Sequence, residues 1–154
     1  EKFPETPAVL TTQMKSVGEV MAIGRTFKES LHKALRSMED GHTGFDPAAT
    51  RNMSLKELER ALRIPNPDRL WQIGDAFRAG MTVEQVHLYT GIDPWFLVHI
   101  RQLIELEGDV ATASTPNADD MRDWKRAGLS DARIGVLRGT SEAAVRELRH
   151  GLGV

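Results

Sequence analysis

The sequence predicts an all-α fold: a compact multi-helix domain with helix-turn-helix-like repeats, preceded by a short extended or strand-like N-terminal tail. Three observations carry this expectation. Beyond Gly24, apolar residues recur at helical spacing, and each run is bracketed by capping residues and glycines. Only one short stretch has strand character. The capping pattern also repeats at an offset of 48 positions.

The tail covers residues 1–25. Pro4 and Pro7, with Thr11 and Thr12, make its first part extended, because proline fixes its own backbone and restricts the residue before it. Ser16 to Gly24 is a short apolar run bounded by glycines, which reads as one strand or a tight extended turn. A lone strand cannot satisfy its own backbone groups, so its partners are expected outside this chain. The sequence starts at Glu1 without Met, as a piece of a longer chain would.

The helical region, residues 26–154, opens at Thr26. Thr26 and Glu29 have capping-box spacing, followed by an apolar stripe of Phe27, Leu31, Ala34, Leu35 and Met38 running to about Glu39. Ser54 with Glu57 starts a second helix, with Leu55, Leu58 and Leu62 on one face and Pro65 as its stop. Asn66-Pro67 opens a third, through Trp71, Ile73, Ala76 and Phe77 to Gly80. Thr82 with Gln85 caps a fourth, which Gly91 closes. Asp93-Pro94 opens a long fifth, and further starts fall at Asn117, Ser130 and Ser141. Ala113 to Pro116 is the soft connection of the second half.

The repeat aligns Arg78-Ala79-Gly80-Met81-Thr82 with Arg126-Ala127-Gly128-Leu129-Ser130. Val86 then matches Ile134, Gly91 Gly139, Asp93 Ser141, Leu97 Val145 and Ile100 Leu148. Either one unit is used twice, which is too few copies for a solenoid, or a compact helical domain carries convergent capping patterns.

Composition narrows the function. A net charge of −2 supplies no general attraction for nucleic acid or anionic lipid. With no cysteine there is no thiolate metal site and no cysteine nucleophile, which suits the cytoplasm. No apolar run approaches the roughly 20 residues of a membrane helix.

Catalytic motifs are missing. The five histidines lack the spacing of a helical zinc site, and no phosphate loop, dinucleotide fingerprint or nucleophile elbow occurs. Asp119, Asp120, Glu142 and Glu84 lie in first helical turns, where carboxylates offset the helix dipole. No catalytic, cofactor-binding or metal-binding residue is expected in this chain.

The alternative is a helix-turn-helix nucleic-acid module. The turns at Gly91 and Gly139 have the right form. A reading helix, however, needs Arg, Lys, Asn or Gln at its start, whereas Pro94-Trp95-Phe96-Leu97 and Glu142-Ala143-Ala144 offer apolar or acidic groups. Arg122 to Arg149 holds seven basic residues against four acidic ones, which leaves non-specific binding open.

Trp71, Trp95, Trp124, Phe77 and Phe96 sit at helical spacing and are expected in the core. Trp95 and Phe96 are adjacent, so about 100° of helix rotation separates them. One of the two is therefore a candidate interface residue, as large aromatics are enriched at interfaces.

The segment Thr11 to Thr26, above all Gly18-Glu19-Val20-Met21-Ala22-Ile23-Gly24-Arg25-Thr26, closely resembles the end of the first ATP-grasp domain in the carbamoyl-phosphate synthetase large-subunit family. The resemblance continues through Phe27 to Ser37, Thr43-Gly44-Phe45-Asp46, Asp75 to Gly80, Trp95-Phe96-Leu97, Asn117-Ala118-Asp119 and Gly128 to Arg133. It is looser between Asn52 and Pro67.

The resemblance implies two ATP-grasp halves separated by an all-helical oligomerization domain, which this chain would supply, with an allosteric domain following. It implies a parent ligase that makes carbamoyl phosphate for arginine and pyrimidine synthesis from bicarbonate, glutamine-derived ammonia and two ATP, with Mg or Mn. The implied partners are the remaining synthetase domains, a glutaminase small subunit and a second copy of the chain. Residues 1–25 would end the preceding domain and find their sheet there, leaving the tail without a seat in this chain alone. Glu19 would lie near an interior passage for intermediates, and its other reading is a plain exposed carboxylate.

Overall fold

The computed structural model describes residues 7–16 and 18–154. Pro4 and Val17, on which part of the tail's reading rests, lie outside the described residues. The described residues form eight α-helices and one 3-10 turn and contain no strand. Residues 18–24 form no strand and no regular turn, so the strand reading is not met there. Met21 and Ile23 are largely exposed there, with no ladder neighbour to hold them.

The helices are α1 (Phe27–Ser37), α2 (Leu55–Arg63), α3 (Arg69–Arg78), α4 (Val83–Thr90), α5 (Pro94–Thr112), α6 (Ala118–Arg126), α7 (Asp131–Arg138) and α8 (Glu142–Gly151). The chain divides into two compact units. One comprises the described residues up to Val20 and Phe45–Arg101, the other Met21–Gly44 and Gln102–Val154, so the division falls within α5.

In the first unit Ser54 and Glu57 form the expected reciprocal cap of α2, with the Ser54 N–H donating to Glu57 Oε2 over 2.8 Å. Thr82 and Gln85 do the same for α4. α2 packs on α3 and α4. The core gathers Phe45, Leu58, Leu62, Trp71, Ile73, Ala76, Phe77, Val86, Leu97 and Ile100. Leu55, expected beside Leu58 and Leu62, is exposed instead. α3 begins two residues after Pro67, because Asn66 Oδ1 accepts the Asp68 N–H and holds a turn there.

Sequence patterns missed the 3-10 turn Ala49–Asn52, which has no side-chain cap. It is held by the buried Asp75 of α3, which accepts from the Ala48 N–H (3.1 Å) and the Thr50 hydroxyl (2.7 Å). Arg78 pairs with the same carboxylate and donates to the Phe45 carbonyl. Arg69 reaches the last carbonyls of α2 and α4, donating to Leu62 O and Thr90 O. Both are helix-end acceptors left open by helical geometry.

In the second unit Val110, Met121, Trp124, Leu129, Ile134 and Val145 form one apolar cluster, and α7 packs on α8. Arg138 donates to Val110 O and Ala113 O and so closes the C-terminal end of α5.

The 48-residue repeat is a repeat of hydrogen bonds. After α3 the Gly80 and Met81 N–H groups donate to Phe77 O and Ala76 O; after α6 those of Gly128 and Leu129 donate to Lys125 O and Trp124 O. Both are Schellman turns, and Gly80 (φ +86°) and Gly128 (φ +93°) take the left-handed conformation they require. Thr82 and Ser130 cap the next helices, and Gly91 and Gly139 end them.

Candidate functional site

Trp95 and Phe96 open α5, where Asp93 Oδ1 accepts the Trp95 N–H over 2.8 Å. Both rings are substantially exposed, Trp95 at 54% and Phe96 at 42%. The sequence assigned only one of them to the surface. Leu97 and Ile100 take the core-facing positions of this turn, which leaves both aromatics outside. The rings meet edge to face at 5.0 Å, and His99, one turn on, lies 4.4 Å from Trp95. Trp71, Phe77 and Trp124 are buried as core residues. Half-exposed aromatics in mutual contact form an apolar patch of the type that partner surfaces use.

Glu19 is exposed, in the irregular stretch before α1. It is not brought together with Trp95 and Phe96 into one constellation by any described contact.

The first-turn carboxylates are engaged in helix starts. Asp120 accepts the Asn117 N–H over 2.9 Å, Asp119 pairs with Arg122, and Glu142 pairs with Arg146. Among the described residues, no three His, Asp or Glu side chains gather as a metal-holding group. No helix among them is long and apolar enough to cross a membrane.

The basic run from Arg122 to Arg149 divides between partly buried pairs and exposed surface pairs. Lys125 and Arg149 converge on Asp131, at 2.7 and 3.2 Å. Burial pushes the Asp131 carboxyl up, but the hydrogen bonds and charges of Lys125 and Arg149 outweigh it and hold the group below its ordinary value. Arg133 pairs with Glu107, Arg126 with Asp123 and Arg146 with Glu142, while Arg138 is taken by carbonyls. A phosphate backbone would have to compete with carboxylates or carbonyls for Lys125, Arg133, Arg138 and Arg149, and the first turns of α5 and α8 carry no base-reading side chain. Four of the seven cations are thus committed within the fold, and nothing in the described residues supports the nucleic-acid alternative.

Sequence reasoning also missed the polar side of α1. The buried residues of this helix are Glu29, His32 and Leu35, whereas Met38 of the expected apolar stripe is exposed. His32 Nδ1 donates to Ala127 O (3.1 Å) and Arg36 Nη1 to Gly128 O (2.7 Å). Glu29 reaches one residue beyond the cap to accept the Arg25 N–H, and it also pairs with Lys33. The Lys33 hydrogen bond, then that of the Arg25 backbone, lowers its carboxyl to about 2. The open polar cleft beside α1 is lined by Lys33, Arg36, Lys125, Ser130 and Asp131; Lys125 pairs with Asp131, Lys33 with Glu29, and Arg36 donates to Gly128 O.

Capped helices in two similar runs and an exposed aromatic pair define a helical domain that presents an apolar surface patch. A family model described as "Carbamoyl-phosphate synthetase large chain, oligomerisation domain" matches residues 19–153. The chain belongs to that family. It is 54% identical over 159 residues to the carbamoyl phosphate synthase large chain of Xanthomonas campestris pv. campestris. It is 51% identical over 158 residues to that of Pseudomonas aeruginosa and 50% over 159 to that of Xylella fastidiosa. Each match covers all of this chain, which spans about 15% of the length of these relatives.

Proposed function

We propose that this chain is the connector and self-association domain of a carbamoyl-phosphate synthetase large subunit, lying between its two ATP-grasp halves. The observation that carries the reading is the exposed Trp95–Phe96 pair on a chain matched over residues 19–153 by an oligomerisation-domain family. Trp95 and Phe96 are the contact residues for a second copy.

The parent ligase makes carbamoyl phosphate from bicarbonate, glutamine-derived ammonia and two ATP in the cytoplasm. Its ATP and Mg or Mn sites lie in other domains, and its glutaminase small subunit completes the complex. Residues 1–25 end the preceding ATP-grasp domain, and the near-complete exposure of Met21 (88%) and Ile23 (83%), two large apolar side chains two residues apart, supports a neighbouring surface there. Glu19 lines the passage for intermediates. Substituting Glu19→Ala in the full enzyme should uncouple glutamine hydrolysis from carbamoyl phosphate formation; unchanged coupling removes that role.

The scaffold reading is tested by offering the purified chain ATP and duplex DNA over a range of salt. Neither ATP turnover nor salt-dependent DNA binding is expected. Turnover would make the chain an enzyme in its own right, and binding that weakens steeply with salt would restore the nucleic-acid reading.

A further inference from the structure

We propose that α1 is a pH-sensitive latch, docked on the turn between α6 and α7 while His32 is neutral and released, with the stretch that leads into it, when His32 is protonated. The inference goes beyond the scaffold role. His32 and Arg36, one helical turn apart, donate to the successive carbonyls of Ala127 and Gly128, at 3.1 and 2.7 Å. The contact is close enough to involve backbone: a Cβ on Gly128 would stand 2.9 Å from Glu29 Cα and 3.1 Å from His32 Cβ.

A carbonyl oxygen only accepts, so His32 Nδ1 carries the proton of the neutral ring. A second proton must go to Nε2, on a side chain that is 1% exposed. The charged groups facing His32 are Arg36 of α1, Arg133 of α7 and Glu107 of α5, with Glu29 one turn earlier on α1. Glu107 is already neutralised by two hydrogen bonds from Arg133, so an imidazolium here is a buried cation beside two guanidiniums.

Burial pushes the His32 ring below its ordinary value, outweighing the upward pull of Ala127 O and Glu107. Released, the ring returns to about 6.5. The released state therefore binds more protons below that pH, and docking weakens as pH falls. Glu29 titrates only near 2 and Asp131 is also held low, so His32 alone changes charge at this contact between about pH 6.5 and 5.

Hydrogen exchange of the full-length large chain, read on the peptide covering α1 and corrected for the intrinsic pH dependence of exchange, tests the latch. Opening of α1 should rise severalfold between pH 7.5 and 5.5, up to the ceiling of about tenfold that one-proton linkage from 6.5 allows. Peptides from α3 should stay flat, and H32Q should abolish the rise in α1. An α1 peptide whose opening stays constant until carboxylates titrate below about pH 4.5, or an H32Q chain that keeps the same rise, overturns the proposal. If H32Q leaves α1 open at every pH, the wild-type profile alone decides between these outcomes.

Discussion

Arg133 on α7 and Glu107 on α5 form a bidentate ion pair in which Nε and Nη2 each lie 2.8 Å from a carboxylate oxygen, with both side chains at most 3% exposed. Gly44 packs against the same guanidinium, where a Cβ would stand 3.2 Å from Arg133 Nε. The pair also explains an asymmetry of the repeat. Ser130 accepts the Arg133 N–H as Thr82 accepts that of Gln85, but Gln85, whose Oε1 accepts the Thr82 N–H in return, is matched in the second copy by an arginine that has no acceptor and donates to Glu107.

Breaking this pair from one side strands a buried charge. Glu107→Leu should cost about 3–5 kcal/mol in urea unfolding, whereas Glu107→Leu combined with Arg133→Met should recover most of the loss. Equal instability of the single and double variants would mean that the pair is not desolvated as its burial indicates.

The two Schellman turns differ in what surrounds them. Gly80→Ala meets open space and pays only for its left-handed backbone, about 1–2 kcal/mol. Gly128→Ala pays that and also pushes a methyl group to 2.9 Å from Glu29 Cα, so it should be clearly the more destabilising of the two in the same denaturation assay. Equal losses would show that α1 does not rest on this turn.

Much of this fold is legible locally. Thr26, Ser54, Thr82, Asn117, Ser130 and Ser141 were all readable as helix starts, because a cap needs only a side chain and a backbone N–H two or three residues away. What was not legible depends on distant partners. The turn at Ala49–Asn52 is held by Asp75, and the buried side of α1 is polar because it meets the carbonyls of Ala127 and Gly128. Residues 18–24 show the converse, strand character without a neighbouring strand. At the candidate surface the adjacency of Trp95 and Phe96 was visible, but not that Leu97 and Ile100 would leave both outside the core.

Glu29 should leave a signature in acid. Its folded carboxyl is lowered to about 2 from an ordinary 4.5, so its contribution is complete above about pH 4.5 and is lost as pH falls toward 2. Unfolding measured across that range should show a shallower loss of stability for Glu29→Gln than for the wild type. Superimposable slopes would contradict the hydrogen bonds from Lys33 and the Arg25 backbone as the cause.

The scaffold account is tested most directly by sedimentation equilibrium of the purified chain over a wide concentration range, beside Trp95→Ala. The account expects a dimer or larger assembly whose association weakens when Trp95 is truncated, with the helical content of the variant unchanged. A monomer at every concentration, or an assembly indifferent to Trp95, would contradict a self-association surface on the Trp95–Phe96 turn.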